Sequence, residues 1–125
     1  MVIDVWMQHP TLRFIQQDMF ASLWRWTGAD VPAEAPGIEV TVASMDAAGV
    51  DFGVLSAWSA PRQPPLISND EVAGWIAEHP DRFAGLAAVD LDKPMEAVRE
   101  LRRCVTELGF KGLRVLPWLW EAPPT

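Results

Sequence analysis

The best candidates for chemistry in this 125-residue sequence lie in four short clusters. Each cluster follows or ends an apolar run that is typical of a strand. The clusters are Asp4, Trp6, Gln8 and His9; Ser56, Trp58 and Ser59; Asp90; and Arg114, Trp118 and Trp120. One guanidinium among polar groups and indole rings suits the binding of a carboxylate in a pocket with apolar walls. We therefore predict one small-molecule site built from these clusters.

The sequence has two histidines, His9 and His79, and each is open to two interpretations. His9 stands before Pro10 at the end of the first predicted strand. There it can act as a ligand or acid–base group, or anchor a loop by a hydrogen bond. His79 lies in the last turn of a predicted helix, where an imidazole favours the helix dipole and can bond free carbonyls. With only two histidines, the chain cannot hold a histidine-rich metal site by itself.

Motifs of several common enzyme classes are absent from the sequence. It has no Walker loop, no G-x-G-x-x-G after a strand, no G-x-S-x-G, no H-E-x-x-H and no C-x-x-C. A Ser-His-Asp triad would have to use one of the two histidines. The motifs therefore exclude several mechanisms and name none.

Charge and composition exclude further classes of protein. The formal charge is −7, from 17 acidic and 10 basic residues, which excludes nucleic acid and anionic membranes as expected partners. The single cysteine, Cys104, excludes an intrachain disulfide. The N-terminus does not have the pattern of a secretory signal. The longest uncharged run, 52–61, has ten residues, whereas a membrane-spanning helix needs about 20. We expect a cytoplasmic protein.

Strands and helices alternate in the prediction, and this order determines where the clusters lie. Strands are predicted at 1–7, 50–58, 82–90 and 110–116. Helices are predicted at 11–27, 38–48, 69–79 and 94–108, the third opened by the capping-box pattern of residues 68–71. This order predicts a parallel sheet with right-handed crossovers. Both an open doubly wound sheet and part of a (β/α)₈ barrel satisfy it, and either brings the clusters to the carboxyl ends of the strands.

The chain resembles the amidohydrolase-related family, in the branch of aminocarboxymuconate-semialdehyde decarboxylase and related hydrolases. The residues that carry the resemblance are Ile3-Asp4, ASMDAAGVDFGVLSA (43–57), SNDEVAGWIAEHPDRFAGLAAVDL (68–91) and AVRELRRCVTELGFKGLRV (97–115). They span nearly the whole chain and the first half of the family's domain. The resemblance implies an α/β fold in which residues 1–125 form the N-terminal half of a (β/α)₈ TIM barrel, with four parallel strands and crossover helices.

The resemblance also implies an activity and a cofactor. Family members hydrolyse or non-oxidatively decarboxylate small carboxylated or cyclic compounds, and many use a divalent metal, often zinc. Their D-x-H-x-H motif would begin at Asp4, but the two ligand positions hold Trp6 and Gln8. His9 lies one residue out of register, on the opposite face of a regular strand. The resemblance therefore assigns no metal ligand in this chain.

The resemblance and the strand-end clusters together predict roles for six residues. Arg114 anchors a carboxylate, Trp6, Trp58 and Trp118 line the pocket, and Gln8 and His9 are the catalytic residues that polarise the substrate or relay protons.

An alternative hypothesis makes the chain a catalytically inactive half-barrel. Its open sheet edges would then pair with a second copy, giving a homo-oligomer that serves as an assembly module. A truncated remnant with no separate role is a further alternative.

Overall fold

The computed structural model describes residues 1–28, 30 and 32–120. Its strands are β1 (Ile3–Met7), β2 (Phe52–Ser56), β3 (Phe83–Ala87) and β4 (Gly112–Leu113). Its helices are α1 (Leu12–Ile15), α2 (Ala21–Thr27), α3 (Ile38–Ala48), α4 (Asn69–Glu78), α5 (Pro94–Thr106) and α6 (Pro117–Trp120), with a 3₁₀ helix at Asp18–Phe20. The predicted proline-rich end at 121–125 lies outside the described residues.

The four strands form one parallel sheet in the order β1-β2-β3-β4. A doubly wound sheet reverses its strand order at a switch point, whereas neighbouring strands of a (β/α)₈ barrel follow one another in sequence. The observed order therefore distinguishes between the two alternatives. The described chain folds as the first four βα units of a TIM barrel, which confirms the fold implied by the resemblance.

The two faces of the sheet have different surroundings. A Cβ on Gly85 would point at Phe110 and at Ile76 of α4, so this face of β3 packs against the helices. The paired residues Gly53 and Leu55 of β2 share it. We call this the outer face. By strand alternation, the opposite or inner face carries Ser56, Leu86 and Gly112, which lie in one row across β2, β3 and β4.

The helix predicted over 11–27 is broken in the structure. Thr11 caps α1 by accepting a hydrogen bond from the amide of Phe14, and α1 ends at Ile15 after one turn. The indole N–H of Trp24 donates to the carbonyl of Ile15 at 3.1 Å. In a continuous helix, that carbonyl would accept a backbone hydrogen bond from the following turn. The chain therefore turns back through the 3₁₀ helix and α2, and Trp26 is left 89% exposed.

The remaining helices agree closely with the prediction. The helix predicted at 38–48 is α3, and Gly49 ends it in the left-handed conformation at φ 73°. The capping box at the start of α4 is present, with Ser68 accepting from the Glu71 amide and the Glu71 carboxylate accepting from the Ser68 amide. Pro94 begins α5, as expected for a proline in the first turn.

The strands are shorter than predicted, especially the fourth. Residues 110–116 were expected to be extended, but β4 has two residues and Leu116 already accepts a hydrogen bond from the Leu119 amide of the final helical turn. Pro117 begins that turn, which is a favoured position for a residue without an N–H. Trp58, placed in the second strand by prediction, instead forms an antiparallel bridge with Ile67. None of the described helices has the length and apolar character needed to cross a membrane.

Candidate functional site

Arg114 and Trp6 meet above the inner face of the sheet. The guanidinium carbon lies 4.1 Å from the centre of the Trp6 ring, and Nη2 donates to the Val5 carbonyl at 3.0 Å. Arg114 follows β4 and Trp6 belongs to β1, the two edges of the sheet. Three strand spacings separate these edges by roughly 14 Å. Two long side chains can close such a gap only if they extend toward each other, so the pair bridges the inner face.

The charge of Arg114 has no carboxylate partner among the described residues, whose ion pairs involve other cations. Only one of its five N–H groups donates to a described protein group, the Val5 carbonyl. No carboxylate of the described residues therefore neutralises Arg114. The guanidinium keeps donors for an anion, and the cation–π contact with Trp6 fixes its position.

A β-bulge in β1 brings Trp6 to this place. Asp4 pairs with Gly53 and Met7 pairs with Leu55, so β1 has one more residue than β2 between the two pairs. Asp4 stabilises the bulge, because its carboxylate accepts from the Trp6 amide at 2.9 Å. The outward-facing residues before and after the bulge are Asp4 and Met7, which both lie against α3.

Gln8 lies beside Ser56 on the inner face, one residue beyond the Met7–Leu55 pair. The Gln8 Oε1 and Ser56 Oγ atoms are buried and have no hydrogen-bond partner among the described residues. Ser56 is fully buried. Buried polar atoms of native proteins nearly always have a partner, so these two atoms lack a partner that an ordered water or a ligand group would supply.

Trp58 and Trp118 form an aromatic wall beyond the end of β2. Their ring centres are 6.0 Å apart in an edge-to-face arrangement, and Phe14 contacts the other side of Trp58 at 4.8 Å. The Trp58 indole N–H is buried without a partner in the described part of the chain, while Trp118 is 57% exposed. Trp58 and Arg114 each lie two residues beyond the row of Ser56 and Gly112, so they flank Ala88 about 10 Å apart.

His9 does not join these residues. It lies in the layer of helices, where Nδ1 is 2.6 Å from the Thr41 hydroxyl, Nε2 is 2.8 Å from the Pro36 carbonyl and the ring packs edge-on against Trp75. The side chain is 1% exposed. Both ring nitrogens are used, so the contacts match the loop-anchoring interpretation of His9 and give no support to its predicted catalytic role. His79 contacts Phe83 edge-on at 6.3 Å, and none of the described side-chain hydrogen bonds involves its ring.

A second, acidic cleft of about 340 Å³ lies between α4 and α5. The Asn69 amide holds its floor by donating to the Ala88 carbonyl at 2.8 Å and accepting from the Ala88 amide at 2.9 Å. Its charged lining residues are Asp70, Asp90, Glu96, Glu100 and Arg103. Four carboxylates against one guanidinium make this cleft unsuited to a carboxylate ligand.

Arg103 and Cys104 complete the wall of that cleft. The hydrogen bond from Arg103 lowers the pKa of Glu100. Burial raises the pKa of the Cys104 thiol to about 12, and the neighbouring Glu100 carboxylate adds to the shift. A thiol in this state is not a nucleophile at neutral pH. Cys104 is therefore part of the packing, as its position one turn from Leu101 and Leu108 predicts.

The end of β1 does not fit a divalent metal. The indole of Trp6 has no free lone pair, the carboxamide of Gln8 is a weak ligand, and His9 points into the helix layer. Among the described residues, the group with metal-ligand chemistry is Glu39, Glu78 and His79, whose ligand atoms lie within 4.8 Å of one another. These residues belong to the ends of α3 and α4 and not to the inner face.

The fold brings the inner-face residues to the carboxyl ends of the strands, the face at which (β/α)₈ barrels carry their functional sites. A model of the amidohydrolase family, described as Amidohydrolase, matches residues 3–125. The chain belongs to this family, which confirms the resemblance found in the sequence.

Decarboxylases are among its similar proteins. Gamma-resorcylate decarboxylase of Rhodococcus jostii is 56% identical over 48 residues, covering 38% of this chain and 15% of the relative. The 2-amino-3-carboxymuconate-6-semialdehyde decarboxylase of Dictyostelium discoideum is 30% identical over 87 residues, covering 62% and 24%. A solved dihydroxybenzoic acid decarboxylase from a Polaromonas species, with bound manganese and the inhibitor 2-nitroresorcinol, has a TM-score of 0.62 and 26% identity, covering 90% and 37%. The chain thus spans about a quarter or less of the curated relatives' length.

Of the six site residues predicted from the sequence, the structure places Trp6, Gln8, Trp58, Arg114 and Trp118 on or beside the inner face. Sequence reasoning placed Ser56 in the second strand-end cluster but gave that serine no individual role. The partnership of Asn69 with the backbone of Ala88 had no signal, because it joins residues 19 apart through the fold.

Proposed function

We propose that this chain forms the β1–β4 part of an active site that binds and decarboxylates a small aromatic carboxylate. The observation that supports the proposal is the Arg114 guanidinium, fixed against Trp6 and without a carboxylate partner among the described residues. A guanidinium with free donors recognises a carboxylate through paired, charge-assisted hydrogen bonds. The names of the relatives support decarboxylation over hydrolysis.

Each inner-face residue has a separate role in the proposal. Arg114 binds the carboxylate, and Trp58 and Trp118 contact the substrate ring from the side of β2. Gln8 and Ser56 supply buried polar atoms that have no described protein partner, so they are suited to a hydroxyl group on the ring. A pocket with apolar walls and a few polar groups fixes the orientation of such a ring. His9 has no role in binding or proton transfer here, because both its ring nitrogens already have partners.

We also propose the cytoplasm as the location of the chain. The support is the single cysteine, Cys104, which is buried and in no disulfide among the described residues, as expected in a compartment that keeps thiols reduced.

The proposal predicts that Arg114→Ala weakens the binding of 2,6-dihydroxybenzoate, the γ-resorcylate of the Rhodococcus relative's name. Hydrogen bonds to charged groups contribute about 1.5–3 kcal/mol, so the Kd should rise by roughly 10- to 100-fold. Quenching of tryptophan fluorescence measures the Kd, since three indoles are proposed to line the site. Resorcinol, which lacks the carboxylate, should bind wild type and variant equally.

Arg99→Ala is the matched control, because Arg99 is exposed on α5, away from the inner face. It removes the same charge from the chain and should leave the Kd unchanged. Equal affinities of wild type and Arg114→Ala for 2,6-dihydroxybenzoate would contradict the proposal. An intermediate affinity for Arg114→Lys, which keeps the charge but loses the planar fork, would support it further.

A further inference from the structure

The positive charge of Arg114 lies where the family motif would place its first metal ligand. The motif begins at Asp4, so its first ligand position is Trp6, and the guanidinium carbon is 4.1 Å from the centre of that ring. The backbone carbonyl of Val5, the residue before Trp6 in β1, accepts a hydrogen bond from the same guanidinium. Both contacts hold the cation at the carboxyl end of β1.

This arrangement disfavours a divalent cation for two independent reasons. The side chains at the ligand positions, Trp6 and Gln8, offer one weak carboxamide oxygen between them. A permanent charge on Arg114 would also lie within a few ångströms of any ion bound there, and like charges repel strongly at short range. No described carboxylate neutralises that guanidinium.

We propose that the guanidinium of Arg114 replaces a metal ion at the end of β1, so that this site binds its carboxylate without a divalent cation. The inference rests on the proposed function, because it concerns the same site. It differs in its content: the proposed function states what is bound, and this inference states which positive charge binds it.

Restoring the family motif tests the inference directly. The starting chain carries His79→Gln, so that the surface group of Glu39, Glu78 and His79 does not bind the added metal. In this background we expect no cobalt absorption band from the inner face. Trp6→His with Gln8→His adds two imidazoles, and we expect it to bind Co²⁺ at least about tenfold more tightly. Adding Arg114→Ala should tighten Co²⁺ binding by about a further fivefold or more, because it removes the repulsion.

A second variant protects the test against misfolding. If the double variant loses its circular dichroism spectrum, Trp6→His alone carries the comparison, since Trp6 is 57% exposed and the hydrogen bond to the Val5 carbonyl still holds Arg114 beside β1. Its Co²⁺ affinity should again increase when Arg114→Ala is added. Trp26→His, at an 89% exposed position on α2, is the control for a histidine placed elsewhere. Equal Co²⁺ affinity with and without Arg114 would overturn the inference.

Binding of the carboxylate, measured with and without metal, provides the second arm of the test. The Kd of 2,6-dihydroxybenzoate should agree within about twofold in EDTA and in Mn²⁺, since the guanidinium and not a metal supplies the charge. A tenfold or larger requirement for Mn²⁺ would overturn the inference while leaving the proposed function intact. If the carboxylate fails to bind in both conditions, the proposed function fails, and the Co²⁺ titration alone decides whether Arg114 excludes the metal.

Discussion

Strand alternation and a bulge determine on which face of the sheet three residues in and just after β1 lie. Gln8 faces the inner side of the sheet, whereas its neighbour His9 turns into the helix layer. The bulge before them moves Trp6 onto the inner face, where Arg114 covers it. One added residue in a strand therefore decides which side chains can meet a substrate, because each single-residue shift changes the face on which a side chain lies.

His9 is expected to stabilise the fold and not to bind substrate. His9→Ala removes the contacts with Thr41 and the Pro36 carbonyl and leaves a cavity beside Trp75. The free energy of unfolding should fall by about 2–4 kcal/mol. Urea denaturation measures this change. The Kd of 2,6-dihydroxybenzoate should stay within about twofold of wild type, since His9 lies outside the inner face.

His79→Ala serves as the comparison for that experiment. His79 is half-buried with one edge-on contact to Phe83, so its loss should cost less than about 1 kcal/mol. If His9→Ala instead weakened carboxylate binding tenfold at unchanged stability, His9 would belong to the site and the loop-anchoring interpretation would be wrong.

At the scale of elements, one side chain connects the start of α4 to the end of β3. Asn69 is 8% exposed and forms two hydrogen bonds with the backbone of Ala88. Ala88 lies two residues beyond Leu86, in the row that also contains Trp58 and Arg114. Asn69 therefore supports the geometry of the inner face without touching it, as the groups behind a binding site often do.

Asn69→Ala should destabilise the chain more than Asp70→Ala, the same substitution at its exposed neighbour. The substitution leaves the buried N–H and C=O of Ala88 without partners, and each such group costs about 1–3 kcal/mol. We expect a loss of about 2–4 kcal/mol in the free energy of unfolding, measured in urea. Asp70→Ala removes an ion pair with Arg103 at a 74% exposed carboxylate and should cost less than about 1 kcal/mol. Equal effects of the two substitutions would contradict this role of Asn69.

The elements that the sequence predicts well are those with local signals. The capping box, the glycine after α3 and the proline at the start of α5 each act within one helical turn. The prediction failed where a distant contact decides the structure. The indole of Trp24 donates to the Ile15 carbonyl at the point where the predicted 11–27 helix is interrupted, and no periodicity records such a bond.

The residues of the candidate site could be predicted from the sequence about as far as the helices and strands could. Arg114, Trp6 and Trp58 could be named as candidates because the carboxyl ends of parallel strands must meet at one edge of the sheet. The pairing of Arg114 with Trp6 could not be predicted, because it joins residues 108 positions apart across both edges. The place of His9 depends on the bulge, and the sequence alone does not locate bulges.

At the scale of the whole molecule, the two edge strands carry exposed apolar side chains. Val2, Ile3 and Val5 on the β1 side are 51–65% exposed, and Leu113 and Val115 beside β4 are each 39% exposed. An unpaired strand edge attracts another strand. A two-fold axis along the barrel would place the β1 edge of one copy beside the β4 edge of the other. That arrangement keeps all the strands parallel and gives the eight that a barrel requires.

The isolated 125-residue chain is therefore expected to form a dimer at micromolar concentration, measured by light scattering after size-exclusion chromatography. The chain carries a charge of −7, so the dimer should strengthen as salt screens the repulsion. Val5→Lys places a charge at the 65% exposed edge and should shift the chain to monomer. Val98→Lys, at a 54% exposed position on α5, should leave the dimer unchanged. A monomeric wild type, or open-ended aggregates that both substitutions affect equally, would contradict closure by a second copy.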